Sequence, residues 1–377
     1  MDNDTALSRG IELLRFPLAC LIVFGHANPI KYIPRIDNDS FLLFDYSWIK
    51  EPITLLGWVL YCPAVPLFFV FSGFLFFWKT DIFTHVIYKK KIKSRIYTLF
   101  LPYLTWNTVF LCMRLFIDYR NGNLYGIEHY LVSLWFCPEH WDNLMRMDMT
   151  TPLDGPLWFL RDLMVVIVLT PIIYKIVNNN WILAVFITVT AGWYMMGLPF
   201  QYWLPGFSLP AFLFFTIGAF FGVNKINVVE VFEETRKIIV VTMLWATMVI
   251  LDSMTSTYID IDNHTREIVN IPIVHGMVTL IGMLVYLLFA AKIVKWRSRI
   301  MTLGGVSFVV YSLHMFIVHR LWKYLVLNIF TNNPNQIDVL LLYLLDVGLT
   351  VFICIVVATL IKRNIVLNVL FTGNRQK

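Results

Sequence analysis

Charge is scarce in this sequence: 14% of its 377 residues are Asp, Glu, Lys or Arg, where soluble chains carry about 25%. That scarcity excludes a water-soluble enzyme as the whole molecule. No polar stretch is long enough to fold as a basic nucleic-acid-binding domain. The five cysteines contain no Cys-x-x-Cys and the eight histidines no His-Glu-x-x-His, so no metal centre is expected. A Walker-type loop, a Gly-x-Ser-x-Gly elbow and a dinucleotide fingerprint are all missing. So are the short alternating segments of a β-barrel. The opening residues, MDNDTALSRG, lack the basic start and small-residue cleavage site of a signal peptide. The first apolar stretch therefore reads as retained.

What the chain has is apolar length. Hydrophobic residues make up 58% of it, in runs that repeatedly reach the roughly 20 residues needed to cross a bilayer as helix. The expected fold is an all-α polytopic integral membrane protein of about ten transmembrane helices, one domain over 1–377. The expected spans are 11–28, 55–78, 97–117, 156–177, 181–198, 206–223, 238–254, 271–291, 301–327 and 338–361. Residues 130–137 are too short to cross and read as interfacial or re-entrant.

Lys and Arg collect in alternate connections: Lys79, Lys89, Lys90, Lys91, Lys93 and Arg95 in one, and Lys292, Lys295, Arg297 and Arg299 in another. These connections read as cytoplasmic, which puts both termini on that side. The same clusters account for the net charge of +6 and suit anionic lipid. Connections 29–54 and 118–155 then lie outside. The second holds Glu128, His129, Glu139, His140, Trp141 and Asp142, which fit either a polar acceptor such as a sugar or a plain solvated loop. Cys62 and Cys137 fall near the outer face, where oxidising conditions permit a pair without requiring one.

Any chemistry must then come from polar groups in or near the membrane. Arg15 and His26 lie in the first span, eleven residues apart. Eleven helical residues are three turns, so both share one face with roughly 16 Å between them. Ionisable groups at that depth mark function, and a cation with an imidazole above it suits a long, phosphate-headed ligand. An Arg reaching back to the headgroups and a His bonded between helices fit equally. The second span carries FFVFSGF, with Ser72 and Gly73. The basic run Lys89–Arg95 leads into Leu101-Pro102-Tyr103, and Gly155-Pro156-Leu157-Trp158-Phe159-Leu160-Arg161 opens the fourth span. In the ninth, Ser307, Tyr311 and His314 share a helical face, either as a functional stripe or as an interhelical network.

Together these segments resemble the bacterial membrane acyltransferase family 3, ten-helix transferases that acylate sugars of surface glycans. The likeness covers nearly the whole chain. Arg15 and His26 match its Arg-x10-His, FFVFSGFLF its second-span element, and SRIYTLFLPY its basic third-span entry. GPLWFL and YSLHMF are similar to later family segments. One departure is Thr98, where members often carry a second Arg three residues after the one matching Arg95. Another is that no hydrolase-like domain follows the last span, so a stand-alone version is expected.

The resemblance implies an O-acyltransferase of the bacterial inner membrane, moving an acyl group, acetyl in the simplest case, from cytoplasmic acyl-CoA to a hydroxyl of a cell-surface or lipid-linked glycan. No tightly bound cofactor is expected, and acyl-CoA is a substrate. Arg15, Arg95, Lys91, Lys93 and Ser72 would bind the donor. His26 would act as general base, or else carry the acyl group itself. Tyr311 and His314 would orient the thioester or stabilise the oxyanion. Glu12 would hold Arg15, and Asp346 is either a partner for His26 or a structural interhelical bond. Two other classes stay open: a flippase or transporter of a lipid-linked glycan, which predicts broken helices in matching halves, and a non-catalytic subunit of a polysaccharide synthesis complex.

Overall fold

The computed structural model describes residues 3–28, 48–136, 151–197, 202–226, 235–260, 266–269, 271–294, 299–329 and 336–374. In chain order the helices are α1 Asn3–His26, α2 Lys50–Thr54, α3 Ala64–Trp78, α4 His85–Arg95, α5 Leu101–Asn121, α6 Ile127–Ser133, α7 Trp158–Val168 and α8 Thr170–Val177. They continue as α9 Asn180–Met195, α10 Leu209–Val223, α11 Thr235–Thr255, α12 Pro272–Val294, α13 Ser307–Ile329, α14 Gln336–Lys362 and α15 Ile365–Thr372. Two small antiparallel hairpins sit in connections: β1 Tyr202–Leu204 with β2 Phe207–Ser208, and β3 Thr257–Asp260 with β4 Arg266–Val269.

The protein is thus an all-α polytopic membrane protein, and each of the ten expected spans contains helix. Six of these are long and apolar enough to cross on their own among the described residues, and α7 with α8 makes a seventh. That span is bent by 67°. The bend falls at Thr170-Pro171, where proline has no N–H to continue the helical ladder. α9 and α10 are shorter apolar helices. The expected interfacial segment 130–137 overlaps α6, a helix of seven residues at Ile127–Ser133. A π-helical turn, Leu55–Val59, follows α2, and a 3-10 stretch, Arg299–Val306, precedes α13. Cys62 is a free thiol; Cys137 and the acidic and aromatic residues 139–142 lie outside the described residues.

The chain divides into two compact units, one made of 1–65 and 227–357, the other of 66–226 and 358–377. In the first, α1 packs against α12, α13 and the 3-10 stretch. Ile11, Leu14, Leu18, Ile22 and Val23 are buried along it, an apolar stripe at helical spacing. Val59, Val249 and Val278 join the π turn, α11 and α12, with Trp58 and Trp245 beside them. Other faces of α11 carry exposed Val240, Met243 and Leu251, apolar surface of the kind that suits lipid.

In the second unit, α3 meets α10 backbone to backbone. A Cβ on Gly73 would overlap the Phe215 carbonyl, and one on Gly218 would overlap the Val70 carbonyl. Lipid supplies no hydrophobic drive between helices, so such small-residue contacts set how closely they pack. α7 places Arg161 and Asp162 in a buried ion pair at 2.9 Å, and Arg161 also donates to the Trp135 carbonyl.

Asp154, just ahead of this span, is 2% exposed. Its backbone N–H donates to Asn107 Oδ1 at 3.0 Å, and burial pushes its carboxyl well above the ordinary carboxylate range. An acid whose folded pKa is raised loses nothing below its unfolded value of 3.8. Stability then falls as pH rises from there toward the folded value, by at most ~1.4 kcal/mol per pH unit. Asp154→Asn removes that loss. Its melting temperature in detergent should match the native chain's at pH 4 and exceed it by a margin that grows toward pH 8. A constant or reversed difference would mean the carboxyl is ionised in the fold.

Candidate functional site

The first unit brings His26 and His314 together. His26 ends α1, and its ring centroid lies 5.1 Å from that of His314 on α13, at an interplanar angle of 48°. His314 is fully buried. Its Nδ1 donates to the carbonyls of Tyr311 (2.8 Å) and Val310 (3.0 Å). A carbonyl can only accept, so the proton is on Nδ1 and Nε2 keeps its lone pair. That Nε2 has no hydrogen-bond partner among the described residues. Tyr311 packs its ring 6.3 Å from His314. Ser307, the third member of the expected stripe, instead donates its hydroxyl to the Gly304 carbonyl.

The carboxyl-terminal turn of α1 is gripped on two sides. Tyr343 of α14 donates to the Phe24 carbonyl at 2.9 Å. Tyr61 lies so close that a Cβ on Gly25 would sit 2.9 Å from its ring. Ala27 and Asn28 are buried just beyond His26. Asp346 does not reach His26 by a hydrogen bond: Thr350 donates to its Oδ1 at 3.4 Å, and Oδ2 has no partner among the described residues. Arg15 sits half-buried three turns below on α1, with exposed Glu12 one turn before it as its acidic neighbour.

The other expected donor-binding residues belong to the second unit. Arg95 lines a groove of about 460 Å³ with Ile92, Ile96, Phe100, Trp135 and Met164. Lys93 is exposed on α4. Lys91 turns inward, donating to the Phe76 carbonyl and lying 4.7 Å from the centre of the Phe76 ring. Lys225 donates to the carbonyls of Trp78 and Thr80. Two lysines thus satisfy carbonyls left open at the end of α3, the usual place for a cation at a helix C-terminus. Ser72 donates to the Phe68 carbonyl of its own helix at 2.8 Å, which is how a membrane helix commonly satisfies a hydroxyl. No group of three or more potential metal ligands gathers among the described residues.

Among the polar pairs that the sequence reading did not single out are Arg161 with Asp162 in the second unit and His275 with Asp252 in the first. The second had a legible signal, since an acid ends one apolar run and a histidine opens the next. What was missing was the register that joins them.

Comparison with known proteins identifies the family. A model of the acyltransferase domain family numbered 3 matches residues 8–359. The succinoglycan biosynthesis protein ExoH of Rhizobium meliloti (strain 1021) is 30% identical over 178 residues, 47% of this chain and 45% of that protein. The aligned region therefore spans less than half the length of that relative. No solved structure matches. A polytopic helical chain with Arg15 and His26 on its first helix, matched over nearly its whole length, belongs to the acyltransferase 3 domain family.

Proposed function

We propose that this protein is an O-acyltransferase of the bacterial inner membrane. It moves an acyl group, acetyl in the simplest case, from cytoplasmic acyl-CoA to a hydroxyl of a surface or lipid-linked glycan. The observation that carries this reading is the His26–His314 pair at the end of the helix that also bears Arg15. The glycan is supported by the relative, which is named for succinoglycan biosynthesis.

His26 takes the proton of the acceptor hydroxyl as its oxygen attacks the thioester carbonyl carbon. The tetrahedral intermediate collapses with cleavage of the carbon–sulfur bond, and the imidazolium returns its proton to the departing CoA thiolate. His314 holds its Nδ1 proton on two carbonyls, so its Nε2 lone pair offers an acceptor beside the charge that develops on His26. Tyr311 backs that ring. Arg15, roughly 16 Å down the helix, meets the donor's phosphates through a planar fork that grips two oxygens at once. In the second unit, Arg95 and Lys93 are the residues proposed to contact the donor. Lys91 and Ser72, bonded to carbonyls of α3, act behind them by holding that helix.

Mass spectrometry of surface glycans from cells with and without the gene tests the reading. An acyl mass shift that disappears with the gene is expected; unchanged glycan masses would overturn it. Arg15→Lys tests the donor end. It keeps the charge and loses the fork, so affinity for acyl-CoA should fall by about tenfold, and further for Arg15→Ala. Calorimetry on the detergent-purified variants showing native affinity for both would leave Arg15 as an anchor to the headgroups.

A further inference from the structure

We propose that His275, held by Asp252 and flanked by Trp58, forms a second binding site in the first unit, one that receives a carbohydrate hydroxyl. This deepens the acyl-transfer reading and rests on it. Asp252 lies in the last turn of α11 and is fully buried. His275 lies in the first turn of α12, and its Nδ1 is 2.8 Å from Asp252 Oδ2. In the neutral ring the carboxylate accepts from Nδ1–H, which leaves Nε2 with its lone pair and turned away from Asp252. The imidazole remains 19% exposed, so the fold does not close over it.

Trp58 covers one face of that ring, stacked at 5.2 Å and 24°. Its indole N–H is buried with no hydrogen-bond partner among the described residues. The same holds for the hydroxyl of Ser253 and for Asp252 Oδ1. Buried polar groups in proteins are nearly always paired. An interhelical hydrogen bond within a membrane is a small return for burying a carboxylate with an orphaned oxygen. One acceptor nitrogen and one spare donor beside an aromatic surface form the set that recognises a sugar, whose hydroxyls both donate and accept.

The position fits an acceptor. Trp58 lies in the π-helical turn, a distortion that recurs at functional sites. It meets Tyr61 edge-on at 5.9 Å, and Tyr61 covers Gly25, next to His26. A continuous aromatic path therefore joins the turn of α1 that carries His26 to His275. The connection between α11 and α12 holds β3 and β4, which the Lys and Arg pattern assigns to the outer side. A glycan arriving from there would meet His275 before His26.

The test uses the full-length protein in nanodiscs, acetyl-CoA as donor, and surface glycan from the producing cells stripped of its esters with alkali. His275→Ala should raise the KM for the glycan by about tenfold or more, with no matching rise in the KM for acetyl-CoA. His275→Asn separates binding from architecture. Its amide N–H replaces Nδ1 toward Asp252, while nothing replaces Nε2, so it should fold as the native chain does and still show the raised glycan KM. A native KM in His275→Asn, with His275→Ala losing only thermal stability, would make the pair a clasp between two helices and overturn the assignment. Failure of the unaltered protein to acylate the glycan at all would instead sink the acyl-transfer reading and this site with it.

Discussion

His26→Ala is expected to lower acyl transfer by about 10²–10⁴-fold, the range a positioned general base contributes, while the protein still inserts and folds. The structure supports both halves of that expectation. The imidazole is half-buried at the last turn of α1, against His314. The turn itself is held independently of it, through the Tyr343 bond to the Phe24 carbonyl and the packing of Tyr61 on Gly25. Alanine is the best helix former and costs little in an apolar span. Single-turnover transfer from radiolabelled acetyl-CoA to ester-stripped glycan, with the melting temperature as a folding control, decides the matter. Near-native transfer by the folded variant would remove His26 from the chemical step. Loss of folding alongside loss of activity would mean that the ring contact is structural.

Gly218→Ala should be the most damaging single methyl in the second unit. The new carbon would overlap the Val70 carbonyl, which belongs to a helical backbone and cannot rotate away as a side chain would. Relief requires α3 and α10 to separate, and that strips the contacts of Gly73 with Phe215 and of Gly222 with Phe74. Overpacking of this kind costs about 1–3 kcal/mol or more. It outweighs the gain of about 1 kcal/mol that alanine brings to an isolated helix over glycine. The expected result is a sharp drop in folded yield and melting temperature, with Gly73→Ala behaving alike. A melting temperature unchanged in both would show that the two helices do not need their close approach.

Much of this molecule is legible in the order of its residues. Ten apolar runs and sparse charge sufficed for a polytopic helical membrane protein, because bilayer thickness sets a helix length that composition displays directly. Arg15 and His26 stood out for the same reason, as ionisable groups where lipid makes them costly. Their place on one helix follows from local periodicity alone. Pairings between helices do not. That His314 rather than Asp346 lies against His26 depends on how α13 and α14 rotate about their axes around α1. Short runs such as GPLWFLRDL and FFVFSGF carry no record of such rotations.

The inward turn of Lys91 onto Phe76 was hidden likewise. A lysine in a basic cluster reads as solvent-facing until a neighbouring helix end with open carbonyls is placed beside it. Asp252 and His275 show the division most plainly. Each is visible near the end of an apolar run, yet only the register of α11 against α12 brings Nδ1 to 2.8 Å from the carboxylate. The sequence by itself therefore determined the class of molecule and the residues that membrane depth makes expensive, since those depend on transfer free energy and on spacing along one helix. The tertiary structure alone decided which polar groups meet, because that depends on helix rotation and close backbone packing, and both are set by side chains far apart in the chain.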